Sequence, residues 1–327
     1  MKLQRSVLVG SLLALSSAGF TQTYHLTDLG TLGGTDSHAY AINSFGEVVG
    51  QAGDINGQQR AFLYSNGPMQ DLGTLGGGES FAWGINDANQ IVGTADLSTN
   101  TQHAFLYDGT MHDLGTLYGV SEAMGLNNLG QVVGFYFATD GTDHAFLYSD
   151  GAMTDLGLGP SAAYAMNDSG QIVGRASGAF VMTGGTTTFL PGGLVAYATN
   201  RFGHAAGLAT NGSFLYDGST MHFIGGFTAT GLNDSDVIVG SGDVGGALHG
   251  FVHSGASTQD LNTVLDSSGT GWTVDDAHAV NNSGWIAATG HTSSGYPHAL
   301  VLVPVPEPAA ILALSAGVVF LIKGRRR

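Results

Sequence analysis

The stretch Ser80-Phe-Ala-Trp-Gly-Ile-Asn86-Asp-Ala-Asn-Gln-Ile-Val-Gly93, followed ten residues later by His103-Ala-Phe-Leu-Tyr-Asp-Gly-Thr-Met-His-Asp-Leu-Gly-Thr-Leu117, decides the fold. Asn86 at its centre has six counterparts: Asn43, Asn127, Asn167, Asn200, Asn233 and Asn281. Successive members lie 43, 41, 40, 33, 33 and 48 residues apart. Four residues before each stands an alanine, and two before each an alanine or a glycine. Three after stand Gly46, Asn89, Gly130, Gly170, Gly203, Asp236 and Gly284, all residue types that tolerate a left-handed backbone. A sevenfold internal repeat outranks any single-residue motif as a guide to architecture.

Each repeat holds four short apolar runs separated by glycine turns, none long enough for an ordinary helix. Asn-x-x-Gly between the first two runs is a tight hairpin whose last turn residue needs positive φ. Four antiparallel strands in about 40 residues, repeated, predict an all-β, seven-bladed β-propeller. Blades converge on the axis, so the strand nearest it has the least room. The Ala-x-Ala/Gly segment is therefore expected innermost and Met-x-Asp-Leu-Gly outermost. With a period of two, the small residues should share one face. The residues between them, Tyr40, Trp83, Met124, Tyr164, Tyr197, Thr230 and His278, should then pack on the next blade. The repeat region starts with an outer strand, Tyr24–Leu32, and finishes with a third strand, His298–Leu302. The N-terminal strand is thus expected to complete the last blade and leave no open sheet edge. An open β-solenoid is the alternative, although complementary half-blades favour closure over stacking. The two 33-residue repeats are degenerate, reading Ala179-Phe-Val-Met and Ser213-Phe-Leu-Tyr.

Residues 1–18 have a basic start (Lys2, Arg5), an apolar run (Val7–Leu15) and the small residues Ser16, Ser17 and Ala18. That is the pattern of a secretory signal peptide cut near Ala18. Residues 304–327 hold Val305-Pro306-Glu307-Pro308, fourteen apolar residues (309–322) and a Lys323-Gly-Arg-Arg-Arg327 end. Fourteen residues are short for an independent span, while the basic end would hold the segment on the cytoplasmic side of the inner membrane. This tail resembles the PEP-CTERM sorting signal of Gram-negative bacteria through Pro306, Glu307 and Pro308. The resemblance implies transient anchoring, processing by an exosortase and release to the cell surface or extracellular matrix; a permanent single-span anchor is the alternative. The segments Gln102–Tyr107, Asp143–Tyr148 and Asp71–Gly77 resemble the HAF family of extracellular repeats. That resemblance covers most of residues 24–302 and implies an exported repeat protein, with no chemistry to transfer.

Six of the nine Lys and Arg residues lie in the two end segments. Between residues 19 and 306 only Arg60, Arg175 and Arg201 face 24 acidic residues, a formal −21. Such a surface should repel nucleic acid and anionic lipid and keep the chain soluble. It would also attract divalent cations or cationic polymers. Cysteine is absent, which excludes thiol catalysis and cysteine-ligated metal. About 280 residues in the repeat region (19–303) suffice for a core without disulfides.

His-Glu-x-x-His, Gly-x-Ser-x-Gly and phosphate-binding glycine loops do not occur. His103, His144, His249 and His298 recur at one repeat position and are expected to be structural. The recurrent Asp28, Asp71, Asp113, Asp155 and Asp260 are expected to bond backbone in turns. Asn-Asp pairs such as Asn86-Asp87 lack the ligand density of an EF-hand, so no cofactor is expected beyond weak calcium binding. The loops leading into the inner strands carry Asp36, His38, Glu79, Glu122, Asp275, Asp276 and His278. They should rim one mouth of the central channel and offer a site for a cation or a sugar. Two functions follow as expectations. One is a non-catalytic binding or structural protein of the cell surface or exopolysaccharide matrix. The other is a propeller polysaccharide lyase or glycosidase with carboxylates at the channel mouth.

Overall fold

The computed structural model describes residues 22–99 and 101–306. The segment expected to be a signal peptide (1–18), Glu307, Pro308 and the apolar run 309–322 lie outside the described residues. Seven four-stranded antiparallel sheets follow one another around an axis. Their innermost strands, in chain order from blade one to blade seven, are Gly33–Ile42, Gly76–Ile85, Ser121–Leu126, Ala162–Met166, Gly193–Thr199, Thr228–Leu232 and Thr273–Val280. Each sheet then runs outward in sequence order. In blade seven the outermost strand is Tyr24–Asp28, paired with Pro297–Pro304 in the register Tyr24↔Pro304, Leu26↔Leu302 and Asp28↔Leu300. The N-terminal strand therefore closes the ring, and the solenoid alternative is excluded.

The spacing Ala-x-Ala/Gly has a more specific meaning than small residues on one face. Every inner strand carries a β-bulge between the two small residues: Ala39/Ala41, Ala82/Gly84, Ala123/Gly125, Ala163/Ala165, Ala196/Ala198, Ala229/Gly231 and Ala277/Ala279. The residue between them has no partner on the second strand, so the two-residue alternation breaks there. Tyr40, Trp83, Met124, Tyr164, Tyr197, Thr230 and His278 accordingly line the central channel instead of packing on the next blade. The second small residue abuts the neighbouring blade. A Cβ on Gly125 would lie 2.7 Å from the Tyr164 carbonyl oxygen, and one on Gly231 would lie 2.8 Å from Ala279 Cα. The bulge also dictates the glycine of Val-Val-Gly. A Cβ on Gly50, Gly93 or Gly134 would collide with the inner-strand carbonyl of His38, Phe81 or Glu122.

Hydrophobic clusters fill the spaces between successive blades. Val49, Ala61 and Leu72 of blade one meet Ala82, Ile91, Ala95 and Phe105 of blade two in one such layer. Ala-Phe-Leu-Tyr thereby buries two adjacent residues at once, because both faces of the third strand are covered. Ala104 and Phe105 are fully buried, as are Ala61 with Phe62 and Ala179 with Phe180. Each such phenylalanine contributes roughly 1.5–3 kcal/mol by leaving water.

Serines of the Ser-x-Ala motif staple the blades together. Ser80 Oγ donates to the Gly73 carbonyl (2.6 Å) and accepts from the Ala61 N–H of blade one (2.9 Å). Ser37, Ser121 and Ser161 repeat the arrangement, Ser37 bridging to Ala299 of blade seven.

Candidate functional site

The central channel has two different mouths. The one at the inner hairpins is built from the seven asparagines. Each Asn Oδ1 accepts from the backbone N–H groups two and four residues on, as Asn127 does from Leu129 (3.1 Å) and Gln131 (3.0 Å). Each Nδ2 donates to the backbone carbonyl of the equivalent asparagine on the next blade. The chain of bonds runs Asn43 to Asn86, Asn127, Asn167, Asn200, Asn233, Asn281 and back to Asn43, at 2.8–3.3 Å. All seven asparagines are buried, between 3% and 7% exposed. Only an amide side chain both accepts and donates in this way without charge. A second, partial ring lies outside it. Asp87, Asn128, Asp168, Asp234 and Asn282 accept from the backbone N–H of the residue at the same position one blade earlier. It is interrupted where the acceptor position holds Arg201 or Ser44. The Asn-Asp pairs are thus occupied with inter-blade hydrogen bonds.

The recurrent histidines occupy the blade rims. His103, His144, His249 and His298 bond through Nδ1 to Asp113, Asp155, Asp260 and Asp28 on the adjacent outer strand, at 2.6–3.2 Å. The same carboxylates accept from turn N–H groups, for example Gly115 at 2.7 Å and Gly30 at 2.9 Å. In blade one Arg60 takes the histidine's place against Asp71 (3.3 Å). Among the described residues no group of three or more His, Asp or Glu side chains is disposed to hold a metal ion.

The opposite mouth, where the inner strands begin, is uneven around the ring. Two arcs of rings face the axis. On blades seven, one and two, Tyr40 lies between His278 (centroids 5.0 Å apart, edge-on) and Trp83 (4.6 Å, tilted). An upper tier, His38 and Phe81, stacks parallel above Tyr40 and Trp83 at 6.2 and 6.0 Å. On blades four and five Tyr164 meets Tyr197 at 5.2 Å. Met124 and Thr230 separate the arcs. The chamber they enclose measures about 260 Å³. Below it a ring of Ile42, Ile85, Leu126, Leu232 and Val280 leads to the asparagine mouth, a vestibule of about 280 Å³.

Of the carboxylates and histidines expected at this mouth, Asp36, His38, Asp276 and His278 come together at the junction of blades seven and one. Burial pushes the Tyr40 hydroxyl up to about 12, reinforced by the Asp276 and Asp36 charges beside it. His278 Nε2 lies 3.4 Å from Asp276 Oδ2. Burial pushes both His278 and His38 below the ordinary histidine value, so both are neutral at pH 7. Glu122 lies on blade three, where burial and the neighbouring Asp143 raise its carboxyl. Asp143 accepts from Arg175 Nη2 (2.9 Å), and Arg175 Nε donates to the Tyr164 hydroxyl (2.9 Å). The Glu79 backbone N–H is bonded to Asp96 (3.1 Å). Asp275 is turned away, accepting from His291 Nδ1 at 2.7 Å. A second bulge, between Val274 and Asp276, occurs in blade seven and reverses that side chain.

The site residues missed by sequence reasoning are Tyr40, Phe81, Trp83, Tyr164, Tyr197, Asp143 and Arg175. The bulky residue inside each Ala-x-Ala/Gly segment was the available signal, but its direction depends on the bulge. Two polar atoms of this mouth lack a protein partner although buried: Trp83 Nε1 and Asp276 Oδ1. Thr289, 4% exposed and paired in register with Asp276, leaves its hydroxyl unbonded as well.

No protein-family model and no curated protein matches the sequence. Among solved structures the chain is similar to the BP39L lectin of Burkholderia pseudomallei, with 10% identity over 85% of this chain and 98% of that one and a TM-score of 0.41. It is also similar to a variant of AofleA from Arthrobotrys oligospora (12% identity, 75% and 91% covered, TM-score 0.37). A third is the six-bladed Aleuria aurantia lectin (14%, 88% and 97%, TM-score 0.32), described with a fucose recognition mode. Likeness at this level carries no argument about blade number or ligand.

Proposed function

We propose that this chain is an exported, non-catalytic carbohydrate-binding propeller of the cell surface or exopolysaccharide matrix, with its ligand seated at the aromatic mouth. One observation carries the reading: the two-tiered wall of His38, Tyr40, Phe81 and Trp83, with Tyr164 against Tyr197 on blades four and five. A sugar suits this wall, since its C–H face covers aromatic rings while its hydroxyls meet the polar groups at their edge. Concave, largely apolar pockets with a few convergent polar groups are the usual form of small-ligand sites.

The termini support a tethered arrangement. Val305 N–H donates to the Thr23 carbonyl (2.8 Å) and Gln22 Nε2 to the Val305 carbonyl (3.0 Å). Both ends leave the domain beside Tyr24 and Pro304, at the hairpin side of blade seven. A tail held in the inner membrane before exosortase processing would leave the aromatic mouth facing away from the bilayer.

Binding of the full chain to a glycan array, and to matrix polysaccharide by calorimetry, tests the ligand reading. Saccharide binding that Trp83→Ala abolishes is the expected result. Turnover of any bound glycan, lost in Glu122→Gln, would replace this reading with the enzymatic one. Retention of the chain in the membrane fraction after Pro306→Ala and Glu307→Ala tests the sorting tail.

A further inference from the structure

Resting on that reading, we infer a second saccharide site in the gap between blades six and seven, on the hairpin side. Through it one chain cross-links two polysaccharide strands. The gap has a volume of about 650 Å³, against about 260 Å³ for the aromatic chamber. That falls within the roughly 300–1,000 Å³ usual for small-ligand sites.

A single repeat position opens it. The residue four after each repeat asparagine is Glu47, Gln90, Gln131, Gln171, His204, Val237 or Trp285. Glu47, Gln90, Gln171, His204 and Trp285 reach the turn of the next blade. Glu47 accepts from Asn89 Nδ2 (3.2 Å), Gln171 Nε2 donates to the Gly203 carbonyl (3.2 Å), and His204 Nδ1 bonds Asp236 (2.8 Å). A Cβ on Gly130 or Gly46 would meet Gln90 or Trp285 respectively. Val237 is too short to do the same. A Cβ on Gly284 would meet Pro304 of its own blade (3.2 Å) and, among the described residues, nothing from blade six.

The lining selects the ligand. Tyr24, 4% exposed, lines the gap, and among the described residues its hydroxyl has no hydrogen-bond partner. Burial raises that hydroxyl above its ordinary value, so it stays a donor at neutral pH. The Ser254, Ser257 and Ser283 hydroxyls and the Gln259 amide share the lining with Val237. No lining residue is charged, although the repeat region carries a formal −21. A carboxylate or an ammonium entering the gap would lose hydration with no counter-charge to replace it. An alkyl chain would leave the hydroxyls unpaired. Serine hydroxyls and glutamine amides both donate and accept, as sugar hydroxyls do, so an uncharged sugar meets both conditions.

Position gives the site its role. Gln22 and Pro304 at its rim mark the hairpin side, opposite the aromatic mouth. A strand held at each face is joined to the other through one domain. The gap has no stacked aromatic wall, so it is the weaker site and acts through the many copies of a unit that a polymer presents.

The test is light scattering by the full chain mixed with matrix polysaccharide in the presence of a chelator, beside calorimetry with tetrasaccharide fragments of that polymer. The wild-type mixture is expected to scatter at least about tenfold more than either component alone. Val237→Gln places in blade six the residue found in blades two, three and four. It should bind the fragments within about twofold of wild type and lose the scattering. Tyr24→Phe, which removes only the unpartnered hydroxyl, should reduce scattering in the same sense. Trp83→Ala should lose fragment binding and scattering together. Fragment binding without scattering by the wild type, or scattering undiminished in Val237→Gln, would overturn the second site and leave the aromatic mouth intact. No binding of polymer or fragments would take the carbohydrate reading down with it.

Discussion

The two mouths of one channel are built by opposite rules. At the hairpin mouth the same residue occurs seven times, buried, with its amide hydrogen bonds made within its own turn or to the next blade. At the other mouth the equivalent positions hold seven residues of five types, half-buried, and the Trp83 indole N–H has no partner. Closure of a ring is a cyclic requirement, and every blade must meet it alike. Recognition of a ligand without sevenfold symmetry requires the blades to differ. Uniform positions thus mark what holds this propeller together, and variable positions at the same radius mark what it can bind.

The largest expected effect sits at the uniform mouth. Asn127→Ala removes the acceptor of two turn N–H groups and the donor to blade four. It should cost roughly 2–4 kcal/mol in urea unfolding, at about 0.5–1.5 kcal/mol per hydrogen bond. Asn86→Ala and Asn281→Ala should cost the same within about 1 kcal/mol, with saccharide affinity unchanged. Unequal costs around the ring would break the comparison.

Next comes the hub itself. Ala123, fully buried beside the bulge, has no room for a larger side chain; Ala123→Leu should lose about 1–3 kcal/mol by overpacking. Trp83→Ala supplies the opposite signature, with stability changed by less than about 1 kcal/mol and binding lost. If Trp83→Ala unfolds the chain as Asn127→Ala does, the variable mouth is structural too.

The pH dependence sharpens the contrast further. Burial depresses His278 and His38 below the ordinary value of 6.5, so the unfolded chain takes up more protons than the folded one as acid is added. Stability should therefore rise with pH through this range, and be lost as pH falls below 6.5 toward the folded-state values. His278→Gln should flatten the slope between pH 7 and pH 5, measured as the urea midpoint. The smallest effect is expected at the rim. His103→Ala breaks an exposed pair with Asp113 and should cost less than about 1 kcal/mol, diminishing further in salt.

Much of the architecture was readable before any coordinates. The Asn-x-x-Gly turns, the Ala-x-Ala/Gly strands and the complementary half-blades at the two ends fix blade count, strand order and closure. Asp36, His38, Asp276 and His278 were legible as a group because they precede Asn43 and Asn281, on adjacent blades, by three to seven residues. Asp275, next in sequence to Asp276, turns elsewhere, since a local partner, His291, and an extra bulge act below the resolution of a repeat alignment.

What the sequence determined by itself is periodicity: small side chains and turn residues at fixed intervals, which express local backbone geometry. Tertiary structure alone decided direction. A one-residue bulge sends Trp83 and Tyr40 into the channel, and ring closure turns each asparagine amide toward a carbonyl 33–48 residues away along the chain, or 238 across the seam. Those choices rest on contacts between blades, and contacts between blades exist only once the circle is complete.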